Sequence, residues 1–509
     1  MSTARTADPA PENPGRGSVH PPHAEGARHP RVIVAVLAFC GIVVSLMQTL
    51  VVPLLTDLPR LLDTSASNAS WVVTATLLSG AVCTPVMGRL GDMYGKRRIL
   101  ALCLALLTVG SVICGLSDAI LPMVAGRLLQ GASFGVIALG MSLMRDELPP
   151  DKLGPSVALM SATLGIGGAI GLPVAALVAQ NADWHMLFWG AAALGALDIV
   201  LVLVFVPESP IRTPARFDVL GTLGLAAGLV CLLLGISKGA DWGWGSTTTL
   251  GLFAAAVVVL PLWGLVELRT KAPLVDLRIS ARPQVLFTNL ASVVIGFSMY
   301  AMSLVFPQVL MLPEATGYGL GKSMVVTGLV MAPAGLVMML VSPLSAKLSA
   351  AKGPKVSLLV GTSVTAFGYL VAQVMLDAVW KVVVATSVAS VGVALAYSAM
   401  PALIMQAVPA RQTGAATGLN TLMRSIGTST SAAVVSMILA NMTTQMGPRA
   451  VPSLDGFKTG LWVGCGAAVA GTLVTLLIPA RGAGGHAVGP DAGTDAPVEA
   501  QRRTPAPTA

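Results

Sequence analysis

Long runs of apolar residues alternate with short polar connections from residue 32 to residue 479. Fourteen such runs can be counted, and most come close to about 20 residues, the length of helix that crosses the hydrocarbon core of a bilayer. Because lipid offers no water to hydrogen-bond the backbone, these runs are predicted to be helices. The predicted spans are residues 32–55, 70–88, 99–117, 119–144, 155–179, 185–206, 218–238, 248–267, 285–310, 324–346, 355–376, 379–405, 415–440 and 457–479.

The distribution of charge predicts the orientation of these spans. Charged residues make up 11% of the 509-residue chain, against about 25% in a typical soluble domain. An even number of spans puts both tails on one side, and the connections on that side hold 23 of the 31 Lys and Arg residues, against 6 on the other side. Basic residues gather in cytoplasmic loops, so both tails are predicted to be cytoplasmic in a multi-pass plasma or inner membrane protein. The net charge of +8 therefore does not indicate a nucleic-acid partner.

The segment that closes predicted span 2 occurs again at the end of predicted span 10. The first copy reads PVMGRLGDMYGKR at residues 85–97, and the second reads PLSAKLSAAKGPK at residues 343–355. The offset of eight spans rather than seven indicates two six-span units separated by two inserted spans, and internal repeats of this kind are typical of secondary transporters. The predicted organisation is a disordered tail of residues 1–31, a six-helix bundle of residues 32–206, inserted spans within residues 218–267, a second six-helix bundle of residues 285–479 and a disordered tail of residues 480–509.

Five segments carry a family resemblance. GRLGDMYGKRR at residues 88–98 resembles the cytoplasmic loop signature of the major facilitator superfamily, and RLLQGASFG at residues 127–135 resembles its fourth-span motif. GIGGAIGLPVAALVAQ at residues 165–180 resembles the fifth-span motif of antiporters. Residues 217–246 and APLVDLRI at residues 272–279 resemble the inserted region of fourteen-span drug–proton antiporters.

The resemblance implies an all-α membrane protein with the major facilitator fold, built from two six-helix bundles plus two inserted transmembrane helices. It also implies multidrug efflux and antibiotic resistance: export of drugs, antibiotics or other amphipathic small molecules by proton antiport with alternating access. Two residues depart from the family pattern. Met47 stands where many fourteen-span exporters carry an acid, and Leu172 separates Gly171 from Pro173 in the fifth-span motif.

Three ionisable residues lie well inside predicted spans, where a charge costs about 2.5–3.5 kcal/mol on insertion scales. Asp198 and Arg127 are the candidates for proton coupling. A carboxyl group in a low-dielectric span is suited to proton uptake and release near neutral pH, and Asp198 would then replace the missing acid at Met47. The alternatives for Asp198 are a neutral hydrogen-bonding group between helices and a position nearer the lipid face. The alternative for Arg127 is a structural arginine bonded to carbonyls of a neighbouring span. Arg424, the third, is predicted to act in gating or packing.

The turn after predicted span 2 combines an acid, several bases and glycines. An acid at Asp92 is suited to meet a helix N-terminus, whose partial positive charge favours it. The resemblance implies that Asp92, with a neighbouring base, latches the two halves together on the cytoplasmic side when the cavity faces outward. Gly88, Gly95, Lys96 and Arg97 complete the predicted cytoplasmic gate.

Small residues four positions apart let helix backbones approach closely, so Gly167 and Gly171, with Pro173 after them, are predicted to pack span 5 against its neighbours. Asp146 and Glu147, at the end of span 4, are interpreted either as gate contacts or as a solvated helix end. The predicted substrate cavity is lined by polar and adaptable side chains, namely Gln48, Thr49, Gln130, Phe297, Tyr300 and Met302.

Other functions were weighed against export of drugs. An exporter of a self-made metabolite, lipid or siderophore, with different or no proton coupling, remains the alternative. A membrane enzyme would need a catalytic constellation, and an ATP-driven pump would need a phosphate-binding loop with Lys; the sequence has neither motif. The prediction is therefore a monomeric transporter, not an enzyme, with a small-molecule substrate, protons and the lipid bilayer as partners and with no cofactor, metal or nucleic acid.

Overall fold

The computed structural model describes residues 30–51, 54, 57–446 and 449–479. Fourteen of its helices are long and apolar enough to cross a membrane, so the predicted number of spans is confirmed. The predicted tails lie outside the described residues except for Pro30 and Arg31, which form the first turn of the first span. Pro is favoured at such a position because the first helical N–H groups have no partner within the helix. We call the face where this helix starts and the last span ends the tail face.

The elements follow one another as listed here, and the fourth span consists of α6, a 3-10 turn at Ala132–Phe134 and α7. The helices are α1 (Pro30–Thr49), α2 (Leu58–Leu61), α3 (Ala66–Ala69), α4 (Trp71–Tyr94), α5 (Lys96–Gly115), α6 (Ile120–Gly131), α7 (Gly135–Glu147), α8 (Pro150–Asn181), α9 (His185–Phe205), α10 (Val219–Trp242), α11 (Thr247–Arg269), α12 (Leu277–Ser280), α13 (Pro283–Met311), α14 (Met324–Lys352), α15 (Pro354–Gln373), α16 (Val379–Ala407), α17 (Thr413–Asn441) and α18 (Leu454–Leu476), and the strands are β1 (Thr443–Met446) and β2 (Arg449–Pro452).

The internal repeat of the sequence corresponds to a repeated turn of the chain. α4 and α14 each end at a glycine with positive φ, Gly95 at 114° and Gly353 at 87°, a conformation that residues with a Cβ rarely adopt. The second residue after each glycine is a base that donates hydrogen bonds to the end of the last span in its own half. Arg97 donates to a carbonyl of α9, and Lys355 donates to the Leu476 and Ile478 carbonyls at the end of α18. A cation there also interacts favourably with the negative end of the helix.

The inserted helix α10 covers the seam along which the two halves meet. Leu225, Leu229 and Leu233 of α10 form one apolar cluster with Ala81 of α4 and Leu419 of α17. One helix therefore buries apolar surface against both halves, while α11 packs on the outer side of α10.

A buried lysine fixes the far end of α10 to the first half. The predicted span ends at residue 238, but α10 continues to Trp242, and the Lys238 side chain is buried. Its ammonium group bonds the Ser67 carbonyl at 2.8 Å, the Ser70 hydroxyl and the Asp241 carboxylate at 3.0 Å, and it lies 5.2 Å from the centre of the Trp71 ring. These partners satisfy the three donors that a lysine carries.

A two-stranded antiparallel hairpin joins α17 to α18 at the face opposite the tails, with Thr443 paired to Pro452. The apolar pattern did not predict it, because strands of four residues leave no periodic signal. The Tyr318 hydroxyl donates to the Pro452 carbonyl and fixes the hairpin to the connection before α14.

Candidate functional site

At the tail face, Asp92 joins the first half to the second. It lies in the last turn of α4 and is buried. Its carboxylate accepts hydrogen bonds from the backbone N–H groups of Gly414 at 3.2 Å and Ala415 at 3.0 Å, in the first turn of α17. Those N–H groups have no partner within their own helix, and the helix start carries partial positive charge. Asp92 therefore caps a helix that belongs to the other half.

Lys96 lies between two acids of the first half, Asp92 and Asp146, beside this contact. Its ammonium group bonds the Asp146 carboxylate and lies 3.8 Å from Asp92 Oδ1, and all three side chains are fully buried. The Ser209 hydroxyl also donates to Asp146. Asp146 is thus a buried partner of Lys96 and not a solvated helix end.

Arg145 makes a second bridge between the halves. Its Nη1 donates to the Thr413 hydroxyl at 2.6 Å, and its Nη2 donates to the Val408 carbonyl at 3.0 Å. Sequence reasoning missed this residue because it was counted only among the positive charges that set orientation. The available signal was its position beside Asp146 at the end of a span.

The glycines and the remaining base of the turn have different surroundings. A Cβ at Gly88 would overlap the Gly414 carbonyl, so α4 and α17 are in backbone contact there. A Cβ at Gly95 would meet the Glu208 carboxylate, which also accepts the Arg97 backbone N–H at 3.2 Å. Among the described residues, the hydrogen bonds of Arg97 are to Glu208 and Leu203 of its own half, and its assignment to the gate stays a prediction.

In the fifth-span motif, the four-residue glycine spacing faces the first half's own core. A Cβ at Gly167 would meet Ser45, and one at Gly171 would meet the Thr49 hydroxyl, both on α1. The Ser45 hydroxyl donates to the Leu164 carbonyl at 2.8 Å across this contact. Thr49, predicted to line a cavity, is therefore packed against α8.

The opposite side of α8 forms the second seam between the halves, against α14. A Cβ at Gly335 would overlap the Gly165 carbonyl, and one at Gly328 would lie 3.0 Å from the Pro173 nitrogen. Gly328 has no Cβ, which lets the α14 backbone approach the Pro173 ring at this point. The two helices stay in contact along both ends of this seam.

Arg127 is held inside the first half by backbone carbonyls. Its Nε donates to the Val72 carbonyl at 3.1 Å, and its Nη1 donates to the Met47 carbonyl at 3.4 Å and to Gln130 Oε1 at 2.6 Å. Gln130 in turn donates to the Ser111 hydroxyl at 2.8 Å, so its amide is engaged within the half and not offered to a cavity. The arginine thus contacts the backbone of Met47, the residue that stands where an acid was expected.

Asp198 lies in the middle of α9 and is fully buried. Within the described part of the chain, neither carboxylate oxygen has a hydrogen-bond partner of ordinary geometry, and the Cys40 thiol of α1 lies beside the carboxyl group. An unpaired buried polar group is rare in native structures and calls for a specific explanation. Among the described residues, no three His, Cys, Asp or Glu side chains come close enough together to hold a metal ion.

In the second half, Arg424 stacks on an aromatic ring. Its guanidinium carbon lies 4.8 Å from the centre of the Tyr397 ring, and the buried Tyr397 hydroxyl has no hydrogen-bond partner among the residues that the structure describes. Arg424 is eleven residues into α17, about 16 Å from the tail-face end. Phe297 and Tyr300 are half-buried, whereas Met302 is packed in the core of the second half and is removed from the cavity candidates.

Two amides that the sequence did not single out lie near the same depth. Asn420 of α17 donates to Asn289 Oδ1 at 2.9 Å and to the Ser292 hydroxyl at 2.7 Å, both on α13. Gln48, at the end of α1, is half-buried and makes no hydrogen bond within the described part of the chain. The sequence analysis missed Asn289 and Asn420 because their pairing joins two spans that are 131 positions apart in the chain.

Two six-helix halves that meet along two seams and repeat the same turn define a secondary membrane transporter built from an internal repeat. The family model described as Major Facilitator Superfamily matches residues 37–432. The chain belongs to this superfamily, whose members are transporters and not enzymes.

Known proteins of this superfamily resemble the chain over most of its length. It is 28% identical over 391 residues to the "Multidrug resistance protein Stp" of Mycobacterium tuberculosis, a match covering 76% of this chain and 71% of that protein. It is 28% identical over 438 residues to the "Tetracenomycin C resistance and export protein" of Streptomyces glaucescens, covering 84% and 79%. The human organic anion transporter MFSD10 (TETRAN) shares the fold, with a TM-score of 0.64 at 16% identity over 88% of this chain and 99% of that one.

Proposed function

We propose that this protein exports drug- or antibiotic-like amphipathic molecules across the cell membrane in exchange for protons, by alternating access. The observation that carries the proposal is the buried contact between Asp92 and the first turn of α17, because it joins the halves at the tail face. The excess of basic residues in the tail-side connections supports a cytoplasmic tail face. The named multidrug and tetracenomycin relatives support export.

Alternation would proceed by rocking of the halves along the two seams. When the Asp92 contact forms, the substrate pocket is closed to the cytoplasm and faces outward. When it breaks, the pocket faces the cytoplasm and loads substrate. Close backbone approach at Gly88 and at Gly335 leaves few side chains to interlock, which suits surfaces that must separate or slide.

Proton coupling is assigned to Asp198, with Arg127 as a positioning residue. An ionised Asp198 would be a buried charge without a counter-charge, and such a charge is costly. α1 contacts both candidates: Cys40 lies beside Asp198, and the Met47 carbonyl accepts from Arg127. These two positions are seven residues apart, about 10 Å along the helix. Protonation of Asp198 would therefore act on α1, which ends beside Gln48.

Substrate contacts are proposed at mid-depth between the halves. Arg424 and Tyr397 offer a cation and an unpartnered hydroxyl, and Phe297 and Tyr300 offer aromatic surface. Apolar walls with a few polar groups are the usual composition of a small-molecule site. This combination fits molecules with an aromatic body and a polar or acidic group.

The test is uptake into everted membrane vesicles that contain the protein. A pH gradient, acid inside, is expected to drive accumulation of a fluorescent dye or an antibiotic, and collapse of the gradient with nigericin is expected to release it. Vesicles with Asp198→Asn should show no gradient-driven accumulation at equal protein level. Accumulation that is the same with and without the gradient would refute antiport.

A second candidate cargo is a self-made antibiotic. The tetracenomycin export relative, matched over 79% of its length, favours it. The same vesicles distinguish the two cargoes: preference for a polycyclic aromatic antibiotic over unrelated dyes would identify a dedicated exporter.

A further inference from the structure

A cavity of about 200 Å³ lies at the tail face, outside the contacts described above. We call it the tail-face pocket, and its polar lining consists of Arg89, Thr213, Lys271, Asp276, Ser280 and Gln412. Arg89 belongs to α4 in the first half, and Gln412 directly precedes α17 in the second. The other residues come from the connections before α10 and after α11. The pocket is therefore assembled only when both halves meet at this face.

Arg89 is the buried base of this pocket, and the described residues supply no hydrogen-bond partner for it. It is 7% exposed, and its guanidinium makes no hydrogen bond or ion pair to any residue that the structure describes. The nearby Asp92 carboxylate is occupied by the α17 N–H groups. Asp276 Oδ1 caps α12, accepting from the N–H groups of Arg278 at 3.0 Å and Ile279 at 3.2 Å. Arg89 interacts electrostatically with Asp92, but its guanidinium donors have no hydrogen-bond partner among the described residues, and the pocket has room to admit one.

Of the remaining polar groups of the pocket, Gln412 and Lys271 offer hydrogen-bond donors, whereas Asp276 adds a carboxylate whose Oδ1 alone accepts hydrogen bonds from the described residues. Gln412 is half-buried and its amide makes no hydrogen bond within the described chain, and Lys271 is exposed without an ion pair. Thr213 and Ser280 already donate to backbone carbonyls. A guanidinium fork with a neighbouring ammonium and amide matches the oxygens of a tetrahedral oxyanion.

We propose that the tail-face pocket binds a phosphate-type oxyanion, either free phosphate or the headgroup of an anionic phospholipid, with Arg89 as its main ligand. Because Arg89 and Gln412 come from different halves, the bound anion joins them. A ligand shifts an equilibrium toward the state that it binds more tightly, so occupancy favours the form closed at the tail face. This effect on transport rests on the proposed alternation, whereas binding itself does not.

The experiment measures thermal unfolding of the full chain in phosphatidylcholine nanodiscs. One arm adds inorganic phosphate against chloride at equal ionic strength, and the other replaces part of the lipid with phosphatidylglycerol. Wild-type protein is expected to unfold at a temperature several degrees higher in at least one arm, since a ligand of the folded state stabilises it. A shift only with phosphate identifies the free anion, and a shift only with phosphatidylglycerol identifies the lipid.

Arg89→Gln is expected to weaken the response about tenfold in ligand concentration, as expected for the loss of a charged hydrogen-bonding partner. Arg98→Gln, an exposed base of the same turn, is the matched control and should respond as wild type. If Arg89→Gln does not fold, Gln412→Ala serves as the test variant. It is expected to weaken the thermal response about threefold in ligand concentration. A wild-type protein that responds in neither arm, or variants at both pocket positions that respond as wild type, would overturn the proposal. Either result leaves gradient-driven export in everted vesicles unaffected, so the two proposals fail separately.

Discussion

Replacing Asp92 by asparagine should open the tail face of this transporter. The wild-type carboxylate accepts two charge-assisted hydrogen bonds from the start of α17, and Asn keeps one neutral acceptor oxygen. Losing one charged bond costs about 1.5–3 kcal/mol. Losing the interaction with the helix dipole costs about 0.3–1 kcal/mol more. Together these amount to about 2–4 kcal/mol, so the ratio of closed to open protein should fall at least about 30-fold.

The assay is a distance measurement between spin labels introduced by Lys152→Cys and Lys352→Cys. Both lysines are exposed at the tail face, one on each half, and the six native cysteines are replaced first. With Asp92 intact, the two labels should give mainly the shorter distance of the form closed at the tail face. Asp92→Asn should shift the population to the longer distance of the open form. Asp151→Asn, an exposed acid at the start of α8, is the matched control. A distance distribution unchanged by Asp92→Asn, or shifted equally by the control, would show that the Asp92 contact does not hold the tail face closed.

Three further outcomes are expected. Gly88→Ala places a methyl group against the Gly414 carbonyl and should slow export severalfold. Gly154→Ala is the control, because a Cβ there meets nothing within 4 Å, and it should leave the export rate unchanged. Equal export rates for the two variants would contradict a role for the contact between α4 and α17 in transport. Asp198→Asn should abolish proton release on substrate addition, read with a pH-sensitive dye, and normal release would remove this residue from coupling. Arg127→Lys keeps the charge but loses the fork that bonds two carbonyls and an amide, so thermal unfolding should report a loss of about 1–3 kcal/mol; an unchanged midpoint would contradict its positioning role.

The spans were predictable because lipid imposes one length and one type of element. The same holds for the turn at Gly95, where the repeat marked a glycine that the backbone needs at positive φ. The role of Asp92 could also be predicted, because an acid can accept hydrogen bonds from the free N–H groups at a helix start. Each of these signals is local in sequence, within a single span or turn.

Pairings across helices were not predictable in the same way. Asp92 and Gly414 are 322 positions apart, and neither segment carries a sequence signal that identifies the other as its partner. Arg145 could be assigned to the contact between the halves only when Thr413 was seen beside it. For Arg127, the sequence left coupling and carbonyl bonding open, and the positions of α1 and α4 determine which carbonyls it contacts. The tail-face pocket was invisible for the same reason, because four separate segments line it.

The most direct test of the account uses the purified protein reconstituted into liposomes with a pH-sensitive dye in the lumen. A transported antibiotic is added outside with no initial pH gradient, and the lumen pH is followed as the antibiotic enters. Protons are expected to leave the lumen in a fixed ratio to the antibiotic taken up, and Asp198→Asn is expected to abolish this movement. Uptake of antibiotic by the wild-type protein with no change in lumen pH would contradict antiport.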